Sequence, residues 1–395
     1  MTSATVKTPG AVRRWWSRGE LGLWPVLIAI LLIAIGFELA NDAFLSPRNL
    51  SNLVLQTGTL AILTLGIMLV LLLGEIDLSI GAVSGLTASI MALLSASAGW
   101  PAWAAILTAV GVGALIGLAQ GSWVVAFRAP SFIVTLAGML VWQGLQLFAL
   151  SGKSGQLRVE DPFITSIASS YLPRPAGWAV AIGIAVVGIG VIFTRRTLDA
   201  RAGYEPNALV RDLAMSAGIV VIPLGGMFIL DQYLGMPYLL LIMLAVTAVL
   251  ALITKSTVFG RHIYAVGGNA EAARRTGIKV GWLRIAIFVI AAVLAVLAGI
   301  LDVSRSYSVS VNTGGGNTSL NAIAAAVIGG TSLFGGRGTI VGALLGALVI
   351  SSVQNGLALL GQPAAVQVIA TGLILLAAVT IDMTARNRRS KGGIR

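Results

Sequence analysis

Apolar stretches of about 20 residues, separated by short polar segments, dominate this chain. A helix needs about 20 consecutive apolar residues to cross the hydrocarbon layer of a membrane. The pattern predicts an all-α, polytopic membrane bundle of about 10–12 transmembrane helices. The twelve candidate spans lie near 22–40, 53–73, 76–97, 101–127, 131–150, 176–194, 213–233, 236–254, 283–301, 318–334, 339–360 and 364–382.

Two of the apolar runs are interrupted by short glycine-containing breaks. Residues 74–77 (Gly-Glu-Ile-Asp) divide the run 53–97, and residues 335–338 (Gly-Gly-Arg-Gly) divide the run 318–382. Each break is either a tight turn between two full spans or the meeting point of re-entrant half-helices. Irregular backbone at membrane depth requires cover by protein or by a water-filled cavity.

The composition supports a membrane protein and excludes several kinds of site. The chain has 395 residues, is 57% hydrophobic and 10% charged, and has a mean hydropathy of +0.94. Cysteine is absent, which excludes disulfides and thiolate metal sites. No Ser-His-Asp set, metal cluster or P-loop occurs in the sequence. We therefore predict a protein that is not an enzyme and that binds no metal, cofactor or nucleotide of its own.

The distribution of the positive charges along the chain indicates the membrane topology. With the N-terminus inside, 21 of the 26 Lys and Arg residues fall in segments on the inner side. This asymmetry follows the positive-inside rule and predicts that both termini are cytosolic. The net charge of +12 is therefore not a sign of nucleic-acid binding. The predicted division is a basic segment 1–20, a transmembrane domain 21–382 and a basic tail 383–395.

The polar stretch 254–285 between two predicted spans has the signals of a short helix of about eight residues. So short a helix is marginal in water, so we expect it to be ordered by docking on something outside the membrane. An ordinary, well-capped connector is the alternative. The residues that specify the helix are Gly267 and Gly268 at a sharp reversal, Asn269 as N-cap, Glu271 in the first turn, Ala272 within it, Arg274 and Arg275 in the last turn, and Gly277 in a left-handed C-terminal position.

Two acidic residues, Glu75 and Asp77, interrupt an apolar run. A charge at the bilayer centre costs roughly 2.5–3.5 kcal/mol on insertion scales. One interpretation is a gate or a protonatable pair. The other is that Asp77 is the N-cap of a helix that begins at Leu78, where the helix dipole favours an anion.

Uncharged amide side chains recur within the predicted spans. Such groups could line a wet translocation path and bond the hydroxyls of a neutral cargo, with Trp142 or Phe132 as an apolar surface. Hydrogen bonds between helices are the alternative for each of them. The amide residues are Gln56, Gln120, Gln143, Gln146, Asn321, Gln354 and Asn355.

Four ordered motifs resemble the ribose/xylose class of bacterial ABC transporter permeases. They are Gly-Glu-Ile-Asp-Leu-Ser-Ile-Gly at 74–81, Ala-Pro-Ser-Phe-Ile-Val-Thr-Leu-Ala-Gly-Met at 129–139, Tyr-Ala-Val-Gly-Gly-Asn-Ala-Glu-Ala-Ala-Arg at 264–274 and Ala-Val-Ile-Gly-Gly-Thr-Ser-Leu-Phe-Gly-Gly-Arg-Gly-Thr at 326–339. The resemblance covers residues 45–382. The insertion at 195–254 and the stretch 141–146 are most similar to the D-xylose permeases.

The resemblance implies a sugar permease of the bacterial inner membrane that works as a homodimer. Its implied partners are two cytosolic ATPase subunits, which carry ATP and Mg, and a periplasmic sugar-binding protein. Residues 255–282 would form the coupling loop that docks on the ATPase, and Gly268, Asn269, Glu271, Ala272 and Gly277 match the family pattern. Glu75 departs from it, since many members have a small or polar residue there.

Two functional hypotheses follow, together with a candidate surface for the binding protein. The first hypothesis is the permease subunit of an ABC importer for a monosaccharide, in particular D-xylose. The second is a proton-coupled secondary sugar transporter that uses Glu75 or Asp77 as its proton site. The outer loops 41–52, 151–175 and 302–317 are either the landing surface for the binding protein or flexible connectors.

Overall fold

A computed structural model of the chain describes residues 23–201 and 209–392. The predicted segment 1–20 and the last three residues of the predicted tail lie outside this range. Within it the fold is almost wholly helical. The helices are α1 Trp24–Ala40, α2 Pro47–Leu72, α3 Ile80–Ala92, α4 Ala102–Phe127, α5 Ser131–Leu150, α6 Pro162–Ser169, α7 Arg174–Arg201, α8 Leu209–Asp231, α9 Tyr238–Ser256, α10 Val258–Gly268, α11 Ala270–Arg275, α12 Val280–Ser306, α13 Thr318–Ile328, α14 Ile340–Leu359 and α15 Ala364–Gly392.

The predicted all-α membrane architecture is confirmed. Within the described residues, eight helices are long and apolar enough to cross a membrane. One of these eight spans is α3 continued by the five π-helical residues Leu93–Ser97. Four shorter apolar helices complete the series: Trp24–Ala40, Met215–Asp231, Thr318–Ile328 and Ala364–Thr380. Each of the twelve predicted apolar segments thus corresponds to a helix, although several boundaries differ.

The centre of the bundle is α12, which packs against α2, α3 and α4. On α4, Gly113, Gly117 and Gly121 face α12. A Cβ atom at Gly117 would lie 2.6 Å from the Phe288 carbonyl oxygen. These glycines let the two helix backbones approach closely, as small residues commonly do between membrane helices.

The two glycine-containing breaks differ from simple turns. Residues 75–79 are non-helical, so α3 begins at Ile80 rather than near 76. The predicted span 318–334 is wrong in length, because α13 ends at Ile328 and residues 329–339 are irregular. At 1.5 Å per residue α13 is about 16 Å long, too short for a hydrocarbon layer of about 30 Å. The second break therefore joins one helix that is too short to span, α13, to a full-length candidate span, α14.

Asp77 is not the N-cap residue of α3. The helix starts three residues later, with Ser79 in the N-cap position. The Asp77 Oδ1 atom instead accepts hydrogen bonds from the Ser79 amide at 2.8 Å and from the Ser79 hydroxyl at 2.7 Å. The carboxylate thus stabilises the turn before α3 rather than its first helical amides.

The basic stretch 254–285 holds two helices, α10 and α11, where the sequence predicted one. Gly267 and Gly268 are the last residues of α10, so the predicted sharp reversal at these glycines is wrong. The other end signals are confirmed. The Asn269 side chain caps α11 by accepting from the Ala272 amide at 2.9 Å, and Gly277 has φ +88°. The helix between them has six residues rather than about eight.

We name the two ends of the bundle after the segments that lie there. The basic end carries residues 255–284. The ribbon end carries an antiparallel pair of strands, β1 Gln156–Arg158 and β2 Ser308–Ser310, in which Leu157 pairs with Val309. Much of the predicted outer loops is therefore ordered structure, since β1, α6, β2, the start of α2 and the end of α12 fall within them.

Candidate functional site

A cavity of about 370 Å³ lies in the half of the bundle nearer the ribbon end. Its walls come from α2, α3, α12, α13, α14 and α15 and from the segment before α13. The lining residues are Gln56, Thr59, Leu60, Leu63, Ser84, Asp302, Arg305, Gly314, Thr318, Asn321, Ser351, Gln354, Asn355, Ala358 and Gln367. Hydroxyl, amide and charged groups thus converge on one compartment inside an otherwise apolar bundle.

Two of the lining amides are free to bind a solute. Asn321 on α13 and Gln354 on α14 are half-buried. In the described part of the chain, neither side chain has a hydrogen-bond partner, and both line the cavity. An amide offers both donors and an acceptor, so this pair can exchange hydrogen bonds with the hydroxyl groups of a neutral polar solute.

The amide of Asn355 has a structural role in the cavity wall. Its side chain exchanges hydrogen bonds with Asn49 on α2, with donor–acceptor distances of 2.8 and 3.1 Å. Its amino group also lies 3.4 Å from the Gln56 Oε1 atom, and Asn49 donates to the Phe44 carbonyl at 2.8 Å. For Asn355 the interhelical alternative is therefore the better description, because its amide ties α14 to α2.

An ion pair in the cavity wall was missed from the sequence. Asp302 and Arg305 face each other in the last turns of α12, with 3.3 Å between Oδ1 and Nη2. Both were assigned to the outer loop 302–317. The helical i, i+3 spacing directly after the apolar run 283–301 is the signal that could have placed them on α12.

The remaining predicted path residues lie elsewhere. Gln120, Phe132, Trp142, Gln143 and Gln146 do not line the cavity. Gln146 is buried and donates to the carbonyl oxygens of Ser310 and Thr313, at 3.0 and 2.9 Å. Gln120 is also buried and exchanges hydrogen bonds with the hydroxyl of Ser79. Phe132 is exposed, whereas Trp142 and Gln143 are half-buried.

The two acids of the first break do not form a pair with each other. Glu75 lies against Arg284 of α12, with 2.8 Å between Oε1 and Nε. Asp77 is bonded to Ser79, which is also the partner of Gln120. Each carboxylate thus has its own neighbours, and Glu75 has a cation beside it.

At the basic end, α11 presents a polar face to solvent. Glu271 is ion-paired with Arg274 at 2.8 Å and with Arg275 at 3.5 Å. Ala273 points the other way and is buried. Of the residues predicted for coupling, Gly268, Asn269, Glu271, Ala272, Arg274 and Gly277 are exposed, while Gly267 is packed against the bundle.

Comparisons with known proteins identify relatives along almost the whole chain. The chain is 38% identical over 373 residues to the xylose transport system permease protein XylH of Haemophilus influenzae, covering 93% of this chain and 98% of that protein. It is 36% identical to XylH of Escherichia coli K12, covering 93% of both. It is 31% identical to the ribose import permease protein RbsC of the same strain, covering 97% of this chain and 99% of RbsC.

A comparison with solved structures finds no match. The family described as "branched-chain amino acid transport system / permease component" matches residues 49–379. This range includes the cavity, both breaks and α11. Because the match extends over most of the sequence and the relatives align along nearly their entire length, the chain belongs to this family of transport permeases.

Proposed function

We propose that this chain is the membrane-spanning permease subunit of an ABC importer for a monosaccharide, in particular D-xylose. The observation that carries the proposal is the similarity to two xylose permeases over 93% of the chain. The ribose permease shares less identity, at 31%. A pentose is therefore the favoured cargo, with xylose ahead of ribose.

The cavity chemistry supports a sugar as cargo. A pentose carries several hydroxyl groups and no charge. Free amides at Asn321 and Gln354 and the ion pair Asp302–Arg305 provide donors and acceptors for such groups. Leu60 and Leu63 line the same space and offer an apolar surface to the sugar ring. In this proposal the sugar binds in the cavity on its way across the membrane.

The energy source is a separate subunit. We propose that two copies of the permease sit on two cytosolic ATPase subunits, which hold ATP and Mg, and that a periplasmic binding protein delivers the sugar at the ribbon end. The basic end then faces the cytosol together with both termini, in agreement with the charge asymmetry. The exposed face of α11 is the docking surface for the ATPase.

The proton-coupled alternative is not favoured. The relatives are named as transport-system and import permeases, and Glu75 is already paired with Arg284 at 2.8 Å.

The experiment is uptake of labelled xylose into proteoliposomes that hold the permease, its ATPase subunit and external binding protein. We expect uptake only with internal ATP and with all three proteins. Uptake driven by a proton gradient in liposomes with the permease alone would overturn the proposal. Ribose or glucose in place of xylose tests the sugar separately.

A further inference from the structure

The helices on either side of α11 both contact the chain at the first break, which in the structure comprises residues 73–79 between α2 and α3. On the N-terminal side, α10 packs its last turn on Leu72, the last residue of α2 directly before the break. Gly267 lies so close to the Leu72 carbonyl that a Cβ atom there would overlap it. The Leu72 carbonyl also accepts a hydrogen bond from the Gly336 amide at 2.9 Å. Leu72, Gly267 and Gly336 therefore form one backbone junction.

The same side has a second contact with the other break. The Tyr264 hydroxyl donates to the Gly338 carbonyl at 2.9 Å. A Cβ atom at Gly335 would lie 2.7 Å from the Gly267 carbonyl oxygen and 2.9 Å from the Gly74 amide nitrogen. The second break thus meets both the end of α10 and Gly74 of the first break through peptide groups.

On the C-terminal side of α11, the contact is ionic. α12 begins at Val280, and its Arg284 meets Glu75 of the break at 2.8 Å. The Glu75 side chain is 11% exposed and that of Arg284 is 28% exposed, so water screens the pair only partly. The two helices that flank α11 therefore contact neighbouring points of the chain, α10 at Leu72 directly before the first break and α12 at Glu75 within it.

The first break also contacts α5 and leads directly into α3, which forms part of the cavity wall. The Ile76 and Leu78 amides donate to the hydroxyls of Ser131 and Thr135 on α5, at 3.0 and 3.1 Å. After these contacts the chain enters α3, whose Ser84 lines the cavity. A continuous series of packed groups thus joins the exposed α11 to the cavity wall.

We infer that Glu75 and Arg284 are positioning residues whose ion pair transmits displacement of α11 to α3 and so to the cavity. This inference rests on the proposed function, because it assumes that an ATPase moves α11. A partly buried pair suits the role, since removing one partner leaves an uncompensated charge and loosens the junction. The backbone contact at Gly267 is the second half of the same link.

The test uses the complete complex of permease and ATPase in nanodiscs, with xylose-loaded binding protein. ATP hydrolysis is measured with and without the loaded binding protein, and sugar import per ATP is measured in proteoliposomes. We expect Glu75→Gln and Arg284→Gln each to lower both the stimulation and the import per ATP about tenfold. Arg284→Lys keeps the charge and should retain most of the coupling.

Arg196→Gln is the matched control. Arg196 is also in a partly buried ion pair, with Asp212 at 2.6 Å, but it joins α7 to α8 away from the break. Loss of this ion pair should leave the stimulation of ATP hydrolysis unchanged. The charge swap Glu75→Arg with Arg284→Glu should recover part of the coupling that either Gln variant loses.

The outcomes separate the two proposals. A wild-type complex without any stimulated hydrolysis would overturn the proposed function. A stimulated wild type with normal coupling in both Gln variants would overturn only the link. If Glu75→Gln lowers the amount of assembled complex while import per ATP stays normal, the pair is a stability element and the link is also overturned.

Discussion

At the scale of single residues, the partners of an amide separate a solute-binding role from a structural one. Gln354 has no hydrogen-bond partner in the described part of the chain and lines the cavity, whereas Gln146 donates to the carbonyls of Ser310 at the end of β2 and of Thr313 beyond it. Both are glutamines within apolar helices. Their different uses depend on which segment folds against them.

We expect Gln354→Leu to reduce sugar import about threefold to tenfold, because one hydrogen bond to the sugar is lost at about 0.5–1.5 kcal/mol. The thermal unfolding temperature should not fall, since no internal hydrogen bond is broken. Gln143→Leu is the control, because this half-buried glutamine lies outside the cavity. Equal losses of import in both variants would contradict the assignment of the path to the cavity.

The sequence identifies these amides as candidates, but it does not show which of them are available to a solute and which bond to other parts of the chain. Spacing along α5 places Gln143 and Gln146 on one face, which is correct for a helix, yet Gln146 meets residues 164 and 167 positions away. Asn355 likewise bonds to Asn49, 306 positions away. Such long-range partners are fixed by tertiary packing, on which single-sequence patterns carry little information.

At the scale of elements, the caps of α11 were predictable because their signals are local. Asn269 accepts from an amide three residues ahead, and Gly277 needs only its own positive φ. The breaks were less predictable, because a glycine-containing interruption can be a turn or the end of a half-helix. α13 also packs closely on α14, where a Cβ atom at Gly346 would overlap the Ala325 carbonyl, and such a long-range contact leaves no local signal in the sequence.

Gly277→Ala tests the docking role of α11. An alanine in the left-handed conformation costs about 1–2 kcal/mol, and no atom lies within 4 Å of the added methyl group. If the cost falls on the docked conformation, association with the ATPase should weaken roughly fivefold or more, measured by titration of ATPase subunit against the permease in nanodiscs.

Gly361→Ala is the matched control for this substitution. Gly361 has φ +68° and equally open surroundings, but it follows α14 at the ribbon end. It should have a similar effect on thermal stability with no effect on ATPase association. Normal ATPase association in Gly277→Ala would remove the docking role from this end of α11.

At the scale of the whole molecule, the orientation of the bundle is the point on which the proposal depends. The basic end must face the cytosol for an ATPase to reach α11. Orientation can be tested by labelling an introduced cysteine. Because the chain has no cysteine of its own, the introduced thiol is its only site of labelling. Ala272 on α11 and Gln362 beyond α14 are both exposed and lie at opposite ends.

We expect Gln362→Cys to react with a membrane-impermeant maleimide in intact spheroplasts, and Ala272→Cys to react only after lysis. The two variants serve as controls for each other. Labelling of Ala272→Cys in intact spheroplasts would place the basic end outside and would contradict both the topology and the docking surface.

The cavity has one further consequence, which concerns stoichiometry. All of its walls, from α2 to α15, are provided by a single polypeptide. In the proposed pair of permeases, each subunit would therefore bring its own set of these lining residues. A substitution confined to one subunit would then leave the lining residues of the other unchanged.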